Sequence, residues 1–414
     1  MSDSILELNS IKPSTKRTEG NLQGENLVMI GYGCVGKGVV NIINSRHKKD
    51  YYFSNIGVKN LENRSADFNF TNDIESLINS KNDYLLELID DSDNALLYCL
   101  AALLKKKSVI SANKKMIAEN FKLLFDTHIE NQVSFLYEGA VAGGIPIIRN
   151  LENYYGNEGL KSISGIINGS SNYILSKMGS EGESFNTVLK KAQEIGFAES
   201  DPSLDIDGFD AKYKLCILAA HGFGVILDPN DVLSIGIRNI SNDDLNYANN
   251  FNHKFKLIAQ VYEEDSEVKA FVLPQLVDSN NELFHVENEF NAVQVNGQFS
   301  DQQTFIGKGA GSHPTGSAVV SDLNAAHSGY RYSYEKLAKN LNSGKAYKLF
   351  SNEGTIRCYI SFTSTTELQD LHLSNETEIG TIGNKQYLIA DLKIADLLNI
   401  PPSETKLFIA RIYY

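Results

Sequence analysis

Apolar runs alternate with amphipathic runs over the first third of the chain. Apolar runs that predict strands lie at residues 27–30, 54–59, 84–89, 108–112 and 133–137. Apolar residues at helical spacing predict helices at residues 34–43, 73–80, 94–107 and 114–129. Strands that are apolar throughout are typical of parallel sheets covered by helices on both faces. The pattern therefore predicts an α/β fold with an N-terminal domain of the Rossmann type.

The composition restricts the classes of function. The chain has 414 residues, of which 42% are hydrophobic and 21% charged, as in ordinary globular proteins of two or three domains. Its formal net charge of -13 disfavours nucleic acids and anionic membranes as partners, because both attract basic surfaces. No apolar run is long enough to span a bilayer, and the N-terminus lacks the pattern of a secretory signal. The scattered cysteines disfavour zinc and disulfides, so a cytoplasmic protein is predicted.

A glycine-rich turn follows the first predicted strand. Gly31, Gly33 and Gly36 form the pattern G-x-G-x-x-G, with Cys34 and Val35 between the last two glycines. Such glycines allow a tight turn, a close approach of the backbone to a pyrophosphate and close packing of the following helix. The pattern also occurs in turns that bind no ligand. Here it lies between a predicted strand and a predicted helix, which favours a dinucleotide site formed by these five residues.

The end of the second predicted strand bears on which dinucleotide is bound. NAD-selective sites usually have an acidic residue there, whereas this chain has Lys59 and Asn60, with Arg64 close behind. Cations at this position could bind the 2′-phosphate of NADP, so the sequence favours NADP and still permits NAD. Lys59 is equally well explained as a solvated loop residue, and both interpretations stay open.

Acidic residues are concentrated between residues 196 and 214. The stretch GFAESDPSLDIDGFDAKYK contains five carboxylates, at positions 199, 201, 205, 207 and 210, followed by lysines at 212 and 214. Asp210 and Lys214 lie four residues apart in a predicted helix, which is also the spacing of an ordinary surface salt bridge. The helix continues as an apolar run, so its first turns are expected to face a cleft.

Five motifs occur in one order between residues 111 and 323. The acidic stretch has a distinctive set of residues: Ala192, Gly196, Phe197, Ala198, Glu199, Asp201, Pro202, Asp205, Ile206, Gly208, Asp210 and Lys214. The other four motifs are SANKKMIA (111–118), YEGAVAGGIPII (137–148), SISGIINGSSNYIL (162–175) and GKGAGSHPTGSAVVSDL (307–323). In these motifs the chain resembles the homoserine dehydrogenases, over most of residues 26–325. The resemblance implies NAD(P)H-dependent reduction of L-aspartate 4-semialdehyde to L-homoserine, or its reverse, in threonine and methionine biosynthesis.

The resemblance also implies the roles of three charged residues in catalysis. Hydride transfer to a carbonyl leaves negative charge on oxygen, which requires a proton donor or a cation. Lys214 corresponds to the family's proton donor. Lys114 corresponds to a second lysine close to the reacting oxygen and the nicotinamide. Asp210 would hold the substrate or orient the lysines.

A set of substrate contacts follows from the same resemblance. Glu199 would bind the α-ammonium group of the substrate. Asp205, like Asp210, would hold the substrate or orient the lysines. Gly169 and Ser170 would offer backbone N–H groups and a hydroxyl to the substrate carboxylate at a helix start. Alternatively, Ser170 or Ser171 simply caps that helix. Besides the small-molecule substrate, the implied partner is a second copy of the chain in a homodimer.

A monovalent-cation site, for sodium, is implied in the loop after residue 137. Its ligands would be the carbonyl oxygens of Glu138, Val141, Gly143 and Ile145, because such oxygens suit hard cations. The alternative is a tight turn packed by glycines. A helix is expected to begin at Pro146.

One departure from the family lies after the strand at residues 84–89. The chain has Asp90 and Asp91 where many relatives have a glycine pair or a threonine and a serine. Two acids near the ribose and pyrophosphate would repel the cofactor unless they turn away. Two alternatives stay open: another small-aldehyde or hydroxy-acid reductase on the same scaffold, or a dinucleotide-binding sensor that has lost catalysis.

The domain organisation is predicted from these motifs. A flexible N-terminal segment (1–25) precedes a dinucleotide-binding domain (26–136) and a substrate-binding and dimerisation domain of α+β type (137–305). A return segment (306–350) packs on the nucleotide domain, with Gly311 close to the cofactor.

The last segment (351–414) is predicted as a small α+β extension. Its predicted strands are residues 355–362, 385–392 and 405–413, and a short helix is predicted at 393–400. Longer homoserine dehydrogenases carry an ACT-type regulatory domain here, usually with a D-x-P-G motif, which this chain replaces by FTSTTELQ. The segment is therefore either a structural extension or a degenerate ACT-like domain.

Overall fold

The computed structural model describes residues 24–412 except residues 63, 65–67, 265–266, 344–347, 350–353 and 401–404. The described residues form two compact units. The first unit contains residues 24–156 and 310–343, and the second contains residues 157–309 and 348–412. Most of the predicted flexible segment lies outside the described residues, and its last residue, Glu25, already begins a strand.

Strands and helices alternate in the first unit. Its strands are β1 (Glu25–Ile30), β2 (Tyr51–Gly57), β3 (Phe70–Thr71), β4 (Tyr84–Glu87), β5 (Ser108–Ser111) and β6 (Phe135–Leu136). The helices up to residue 156 are α1 (Cys34–Ile42), α2 (Ile74–Asn79), α3 (Ser92–Leu104), α4 (Lys114–Glu119), α5 (Phe121–Asn131) and α6 (Ile148–Asn153). All pairings are parallel, in the order β3-β2-β1-β4-β5-β6, which is the strand order of a Rossmann domain. The predicted Rossmann-type fold is confirmed.

Polar side chains set several of the helix ends. Asp73, Asp91 and Asn113 cap α2, α3 and α4 by accepting hydrogen bonds from backbone N–H groups. The run at residues 114–129, predicted as one helix, is divided at Asn120, whose side chain donates to a carbonyl of α4 at 3.0 Å. A side-chain bond of this kind competes with continuation of the helix.

The second unit begins with strands and helices of α+β type. Its strands up to residue 309 are β7 (Leu160–Ile166), β8 (Leu233–Ser234), β9 (His253–Glu264), β10 (Glu267–Asp278), β11 (Phe290–Gly297) and β12 (Gln302–Lys308). Its helices are α7 (Gly169–Glu181), α8 (Phe185–Glu194), α9 (Ser203–Ile206), α10 (Phe209–Phe223) and α11 (Asn242–Asn250). The helix predicted at Pro146 is α6 of the first unit, and it begins two residues later, at Ile148.

The chain then completes both units. The first unit gains α12 (Ser312–His327) and α13 (Glu335–Ser343). The second unit gains β13 (Lys348–Leu349), β14 (Thr355–Phe362), β15 (Leu373–Ile382), β16 (Lys385–Lys393), α14 (Ile394–Leu398) and β17 (Phe408–Ile412). No helix in the described part of the chain is long and apolar enough to cross a membrane.

The C-terminal strands extend the sheet of the second unit. Among the described residues, the strand order is β12-β11-β7-β9-β10-β17-β14-β16-β15, with β8 and β13 also paired to β10. Residues of β10 and of the extension share one apolar core, which includes Phe271, Leu273, Ile360 and Ile409. The segment 351–414, predicted separately, therefore folds as one unit with residues 157–309.

Three other boundaries differ from the predicted ones. Residues 348–349, predicted in the return segment, belong to the second unit, where they form β13. Residues 137–156 belong to the first unit, where the backbone N–H of Glu138 donates to Asp322 on α12 at 2.7 Å. Residues 306–308 belong to the second unit because they complete β12, which pairs with β11. The segment that returns to the first unit thus begins at Ala310.

Candidate functional site

The glycine turn predicted to bind a dinucleotide joins β1 to α1. Gly31 has a φ of 105°, and a Cβ there would lie 2.3 Å from the carbonyl oxygen of Leu88, so glycine is required. A Cβ on Gly36 would lie 2.4 Å from the carbonyl oxygen of Gly31. At Gly33 the Cβ position faces open space, and α1 begins without a side-chain cap. The turn therefore presents an accessible backbone and a helix N-terminus to an anionic ligand.

A cavity of about 750 Å³ adjoins this turn. It is lined by the turn, by Lys59 after β2, by Arg64 and by the Ile89–Asp91 loop. Arg64 is held in place, because its Nε donates to the carbonyl of Asn60 at 3.0 Å and its guanidinium carbon lies 5.5 Å from the centre of a phenylalanine ring. The two cations thus line the same cavity as the glycine turn.

Asp91, one of the two unusual acids, has a structural role at the start of α3. It accepts hydrogen bonds from the backbone N–H of Asn94 at 3.0 Å and from the side-chain amide of Asn94 at 2.8 Å. These bonds hold the pKa of Asp91 below its usual value, and the charge of Lys59 acts in the same direction. Asp90 and Asp91 nevertheless line the cavity, so their charge faces any dinucleotide bound there.

Lys114 and Gly311, two further predicted site residues, also belong to the first unit. Lys114 is the half-buried first residue of α4, directly after its cap Asn113. Gly311 precedes α12 with a φ of 115°. The next residue, Ser312, donates its hydroxyl to the carbonyl of Cys34 at 2.8 Å, which fixes α12 against the glycine turn.

Lys214, on α10, lies in a buried polar cluster of the second unit. Its Nζ donates to Asp210 Oδ2 at 2.5 Å and to the carbonyl of Ile167 at 2.8 Å. The Nδ2 of Asn168 donates to Asp205 Oδ1 at 2.7 Å and to Asp210 Oδ2 at 2.9 Å. Lys214 is 7% exposed and Asp210 5%, so the pair is not the surface salt bridge that the spacing also allowed.

Two carboxylates of this cluster, Asp205 and Asp210, affect each other electrostatically. Burial raises the pKa of Asp205, and the nearby charge of Asp210 raises it further. The hydrogen bond from Asn168 and the charge of Lys214 act in the opposite direction. The carboxylates of Asp205 and Asp210 thus lie close together in a poorly solvated place, which favours the approach of a cationic group.

The other acids of the stretch have different surroundings. Asp207 is buried and accepts from Arg238 Nε at 2.9 Å and Nη2 at 2.7 Å. Asp201 is exposed and accepts from the N–H of Ser203 at 3.1 Å and from its hydroxyl at 2.7 Å. Glu199 is exposed and lies outside the buried cluster. Two of the five acids therefore support the loop, and Glu199 faces solvent.

The start of α7 lies beside the cluster and differs from the prediction in one respect. Neither Ser170 nor Ser171 caps the helix, because the cap is Asn168, whose Oδ1 accepts from the N–H of Ser171 at 2.8 Å. The hydroxyl of Ser170 donates to the carbonyl of Phe197 at 2.6 Å. Asn168 thus serves as the helix cap and as the bridge between two carboxylates. An asparagine directly before Gly169 at a helix start could have been recognised as a cap from the sequence.

The loop predicted to hold sodium lies in the first unit and turns through Ala142 and Gly143, with φ values of 52° and 46°. The carbonyls of Glu138 and Ile145 each accept a backbone hydrogen bond, from Val141 and Ile147. Among the described residues, no hydrogen bond reaches the carbonyls of Val141 or Gly143. The donor set is therefore compatible with a hard cation.

The carboxylate of Glu138 has a separate role beneath this loop. It is buried and accepts the N–H groups of Ile148 and Arg149 at 2.8 Å and 2.9 Å, at the start of α6. Arg149 Nε lies 3.5 Å from Glu138 and 3.6 Å from Asp322. Burial and the charge of Glu138 raise the pKa of Asp322 well above its usual value. This acid pair therefore fixes the loop to α6 and α12.

Comparison with known proteins shows the family of the chain. A family model described as homoserine dehydrogenase matches residues 146–323, and one described as homoserine dehydrogenase, NAD binding domain, matches residues 31–138. The homoserine dehydrogenase of Bacillus subtilis (strain 168) is 37% identical over 309 residues, which cover 72% of this chain and 71% of that protein.

Solved structures show the same relationship. A crystal structure of a homoserine dehydrogenase from Thiobacillus denitrificans shares the fold, with a TM-score of 0.78 at 24% identity over 94% of this chain and 98% of that one. A hyperthermophilic archaeal homoserine dehydrogenase mutant in complex with NADPH has a TM-score of 0.66 at 26% identity, over 75% of this chain and 99% of that one. The chain therefore belongs to the homoserine dehydrogenase family and is an NAD(P)-dependent oxidoreductase with a small-molecule substrate.

Proposed function

We propose that this chain reduces L-aspartate 4-semialdehyde to L-homoserine with NADPH as its preferred reductant, and that it also catalyses the reverse reaction. The observation that carries the proposal is the buried cluster in which Lys214 contacts Asp210, and Asn168 joins Asp210 to Asp205. A lysine held by a carboxylate beside a second carboxylate suits both proton transfer and recognition of an amino-acid substrate.

Lys214 is the proton donor in this proposal. The bound dinucleotide would supply the hydride to the carbonyl carbon of the aldehyde. Lys214 Nζ gives a proton to the oxygen as negative charge develops there, so that the oxygen becomes the hydroxyl of homoserine. In the oxidative direction Lys214 takes that proton back. Asp210 orients Nζ through their short hydrogen bond.

The substrate's α-ammonium group would be attracted by the neighbouring carboxylates of Asp205 and Asp210. Asp205 is the half-buried candidate for this contact, and Glu199 is an exposed one that would add a charge-assisted hydrogen bond. The substrate carboxylate would bind the backbone N–H groups of Gly169 and Ser170 at the start of the 13-residue helix α7.

The preference for NADPH rests on the two cations that line the cavity beside the glycine turn. Lys59 and Arg64 would hold the 2′-phosphate, with Gly31, Gly33 and the start of α1 holding the pyrophosphate. The archaeal relative in complex with NADPH supports this choice. Lys114 and Gly311 complete the proposed cofactor contacts in the first unit.

A sodium ion and a homodimer are further parts of the proposal. The carbonyls of Glu138, Val141, Gly143 and Ile145 would hold the ion, which would stabilise the loop before α6. Replacing Na⁺ by Mg²⁺ at constant ionic strength should lower thermal stability or activity if this site is occupied. Light scattering of the purified protein gives the oligomeric state.

One assay tests the reaction. Oxidation of NADPH and NADH is followed with aspartate 4-semialdehyde, with other small aldehydes as matched substrates, and the product is identified chromatographically. Turnover that is faster with aspartate semialdehyde, and faster with NADPH than with NADH, is expected. Turnover of other aldehydes alone would favour a different reductase, and nucleotide binding without turnover would favour a sensor.

A further inference from the structure

Glu87 and Ser111 are the last residues of neighbouring parallel strands, β4 and β5, and they pair in register. The carboxylate of Glu87 is fully buried, and each of its oxygens accepts one hydrogen bond. Oε1 accepts from the backbone N–H of Ile89 at 2.8 Å, and Oε2 accepts from the hydroxyl of Ser111 at 2.5 Å. A buried acid at the carboxyl end of a parallel sheet lies where such folds bind their ligands.

These bonds are part of a closed ring. The backbone N–H of Asn113 donates to the Ser111 hydroxyl oxygen at 3.1 Å, and the Asn113 side-chain amide donates to the carbonyl of Ile89 at 3.0 Å. The hydrogen bonds therefore form a closed ring through four residues, Glu87, Ile89, Asn113 and Ser111. Both backbone polar groups of Ile89 are bound within it.

The ring connects two proposed parts of the active site. Ile89, Asp90 and Asp91 line the dinucleotide cavity. Asn113 caps α4 through its Oδ1, which accepts from Met116 N–H at 3.0 Å, and α4 begins at Lys114. Asn113 therefore connects the Ile89–Asp91 side of the cavity to the start of α4, where Lys114 lies.

We propose that Glu87 is a positioning residue whose carboxylate fixes the cofactor-binding loop at residues 89–91 and the start of α4 in the arrangement that binds the dinucleotide and directs Lys114. This inference rests on the proposed function for the role of Lys114, but its effect on dinucleotide binding does not depend on which substrate is reduced. Glu87 itself is not among the residues that line the cavity.

The ring as built requires an ionised carboxylate, because Glu87 accepts both of its bonds. A protonated Glu87 would have to donate to Ser111, whose own proton would then lose its acceptor. Burial raises the pKa of Glu87 to about 7, and the charge of Asp90 adds to this, while the bonds from Ser111 and Ile89 oppose it. Burial and the charge of Glu87 raise the pKa of Cys99, on α3, well above its usual value, so this thiol stays neutral. The ring should therefore loosen as the pH falls below neutrality.

The experiment measures dinucleotide binding by the full chain, by fluorescence titration with NADPH and with NADH between pH 6 and 8.5. NADH is included because the 2′-phosphate of NADPH titrates in the same range. Wild-type affinity for both nucleotides should fall as the pH decreases through neutrality. Glu87→Gln, which imitates the protonated acid, should bind both nucleotides about tenfold more weakly at pH 8 and lose this inflection. Glu119→Gln, an exposed acid on α4, is the matched control and should keep the wild-type profile.

Ser111→Ala gives an independent test. It removes a hydrogen bond that lowers the Glu87 pKa, so the inflection should move to higher pH by about one to two units. With aspartate semialdehyde as substrate, both variants should show a lower kcat and a higher KM for the nucleotide. An unchanged inflection in folded Glu87→Gln and in Ser111→Ala would overturn the positioning role while leaving the proposed reaction intact. No binding of either nucleotide by the wild-type chain would overturn both.

Discussion

Lys214 Nζ lies 2.5 Å from Asp210 Oδ2, and both side chains are buried in the second unit. This spacing along a helix is usually a weak surface pair, worth a few tenths of a kcal/mol. Burial changes its significance, because a charged pair removed from water must be held by further polar partners. Here those partners are Ile167 and Asn168. The pair is therefore suited to hold and release a proton at a fixed position.

Replacement of Lys214 tests that role most directly. Lys214→Ala should reduce kcat by about 10²–10⁴, because the proton donor is lost, and should leave NADPH affinity nearly unchanged. The matched control is Lys212→Ala, on the same helix, whose ammonium lies 4.9 Å from the ring centre of Phe209. Turnover by Lys214→Ala close to that of Lys212→Ala would show that another group supplies the proton.

Asn168 has two structural roles that different substitutions can separate. Asn168→Ala removes the helix cap and the carboxylate bridge, whereas Asn168→Ser keeps a good capping residue and removes only the bridge. Both variants should lower kcat/KM about tenfold at neutral pH, the scale of a lost hydrogen bond to a charged group. Because the Asn168 bond opposes the increase in the Asp205 pKa, its loss should move the acidic limb of the pH profile to higher pH. A normal profile for Asn168→Ser would show that only the cap matters.

The sequence predicted those parts of the fold and of the cluster in which the interacting residues are close together along the chain. Strands β4 and β5 are short buried runs, and the glycine turn carries its own steric requirement at Gly31 and Gly36. Asp210 and Lys214 are close because one helix turn separates them. The bridge from Asn168 to Asp205 joins residues 37 positions apart, and no local pattern encodes such a contact.

Other features depend on tertiary packing in the same way. β15 escaped prediction because its side chains are mostly polar and exposed at the edge of the sheet, so no apolar alternation marks it. Glu87 lies inside the strand predicted at residues 84–89, and its contact with Ser111 arises only from the pairing of β4 with β5. The C-terminal strand β17 pairs with β10, which is far from it in the sequence, and the pattern of apolar residues within each strand does not determine this pairing.

Substitution of Glu199 tests the proposed contact with the substrate ammonium group. Glu199→Gln should raise KM for homoserine about tenfold, because a charge-assisted hydrogen bond is replaced by a neutral one, with a smaller effect on kcat. Cofactor affinity should not change. Glu194→Gln, another exposed acid at the end of α8, provides the control. Equal KM values for the two variants would assign Glu199 to the loop surface only.

Cofactor preference should respond to Lys59. Lys59→Ala should weaken NADPH binding more than NADH binding, because only NADPH carries the 2′-phosphate, and the difference should shrink as salt is added. Lys105→Ala, an exposed lysine after α3, controls for the loss of one positive charge. An equal loss of affinity for both nucleotides would mean that Lys59 contacts the pyrophosphate. No loss of affinity would leave Arg64 as the cation that selects NADPH.

The C-terminal extension should contribute to the stability of the whole second unit. Ile360 on β14 is fully buried in the core that also contains Phe271 and Leu273 of β10. Ile360→Ala should lower the free energy of unfolding by about 2–5 kcal/mol, because it removes packed methyl groups and leaves a cavity. The control is Ile379→Ala on β15, where the side chain is 70% exposed and the expected change is within about 0.5 kcal/mol.

The measurement for this prediction is urea unfolding followed by tyrosine fluorescence and by residual activity. If the extension and residues 157–309 share one core, both signals should shift together to lower urea in Ile360→Ala. A separate early transition for the extension, with activity unfolding at the wild-type concentration of urea, would show that the extension folds independently. Because its strands pair with the sheet of the proposed substrate unit, the coupled result is expected.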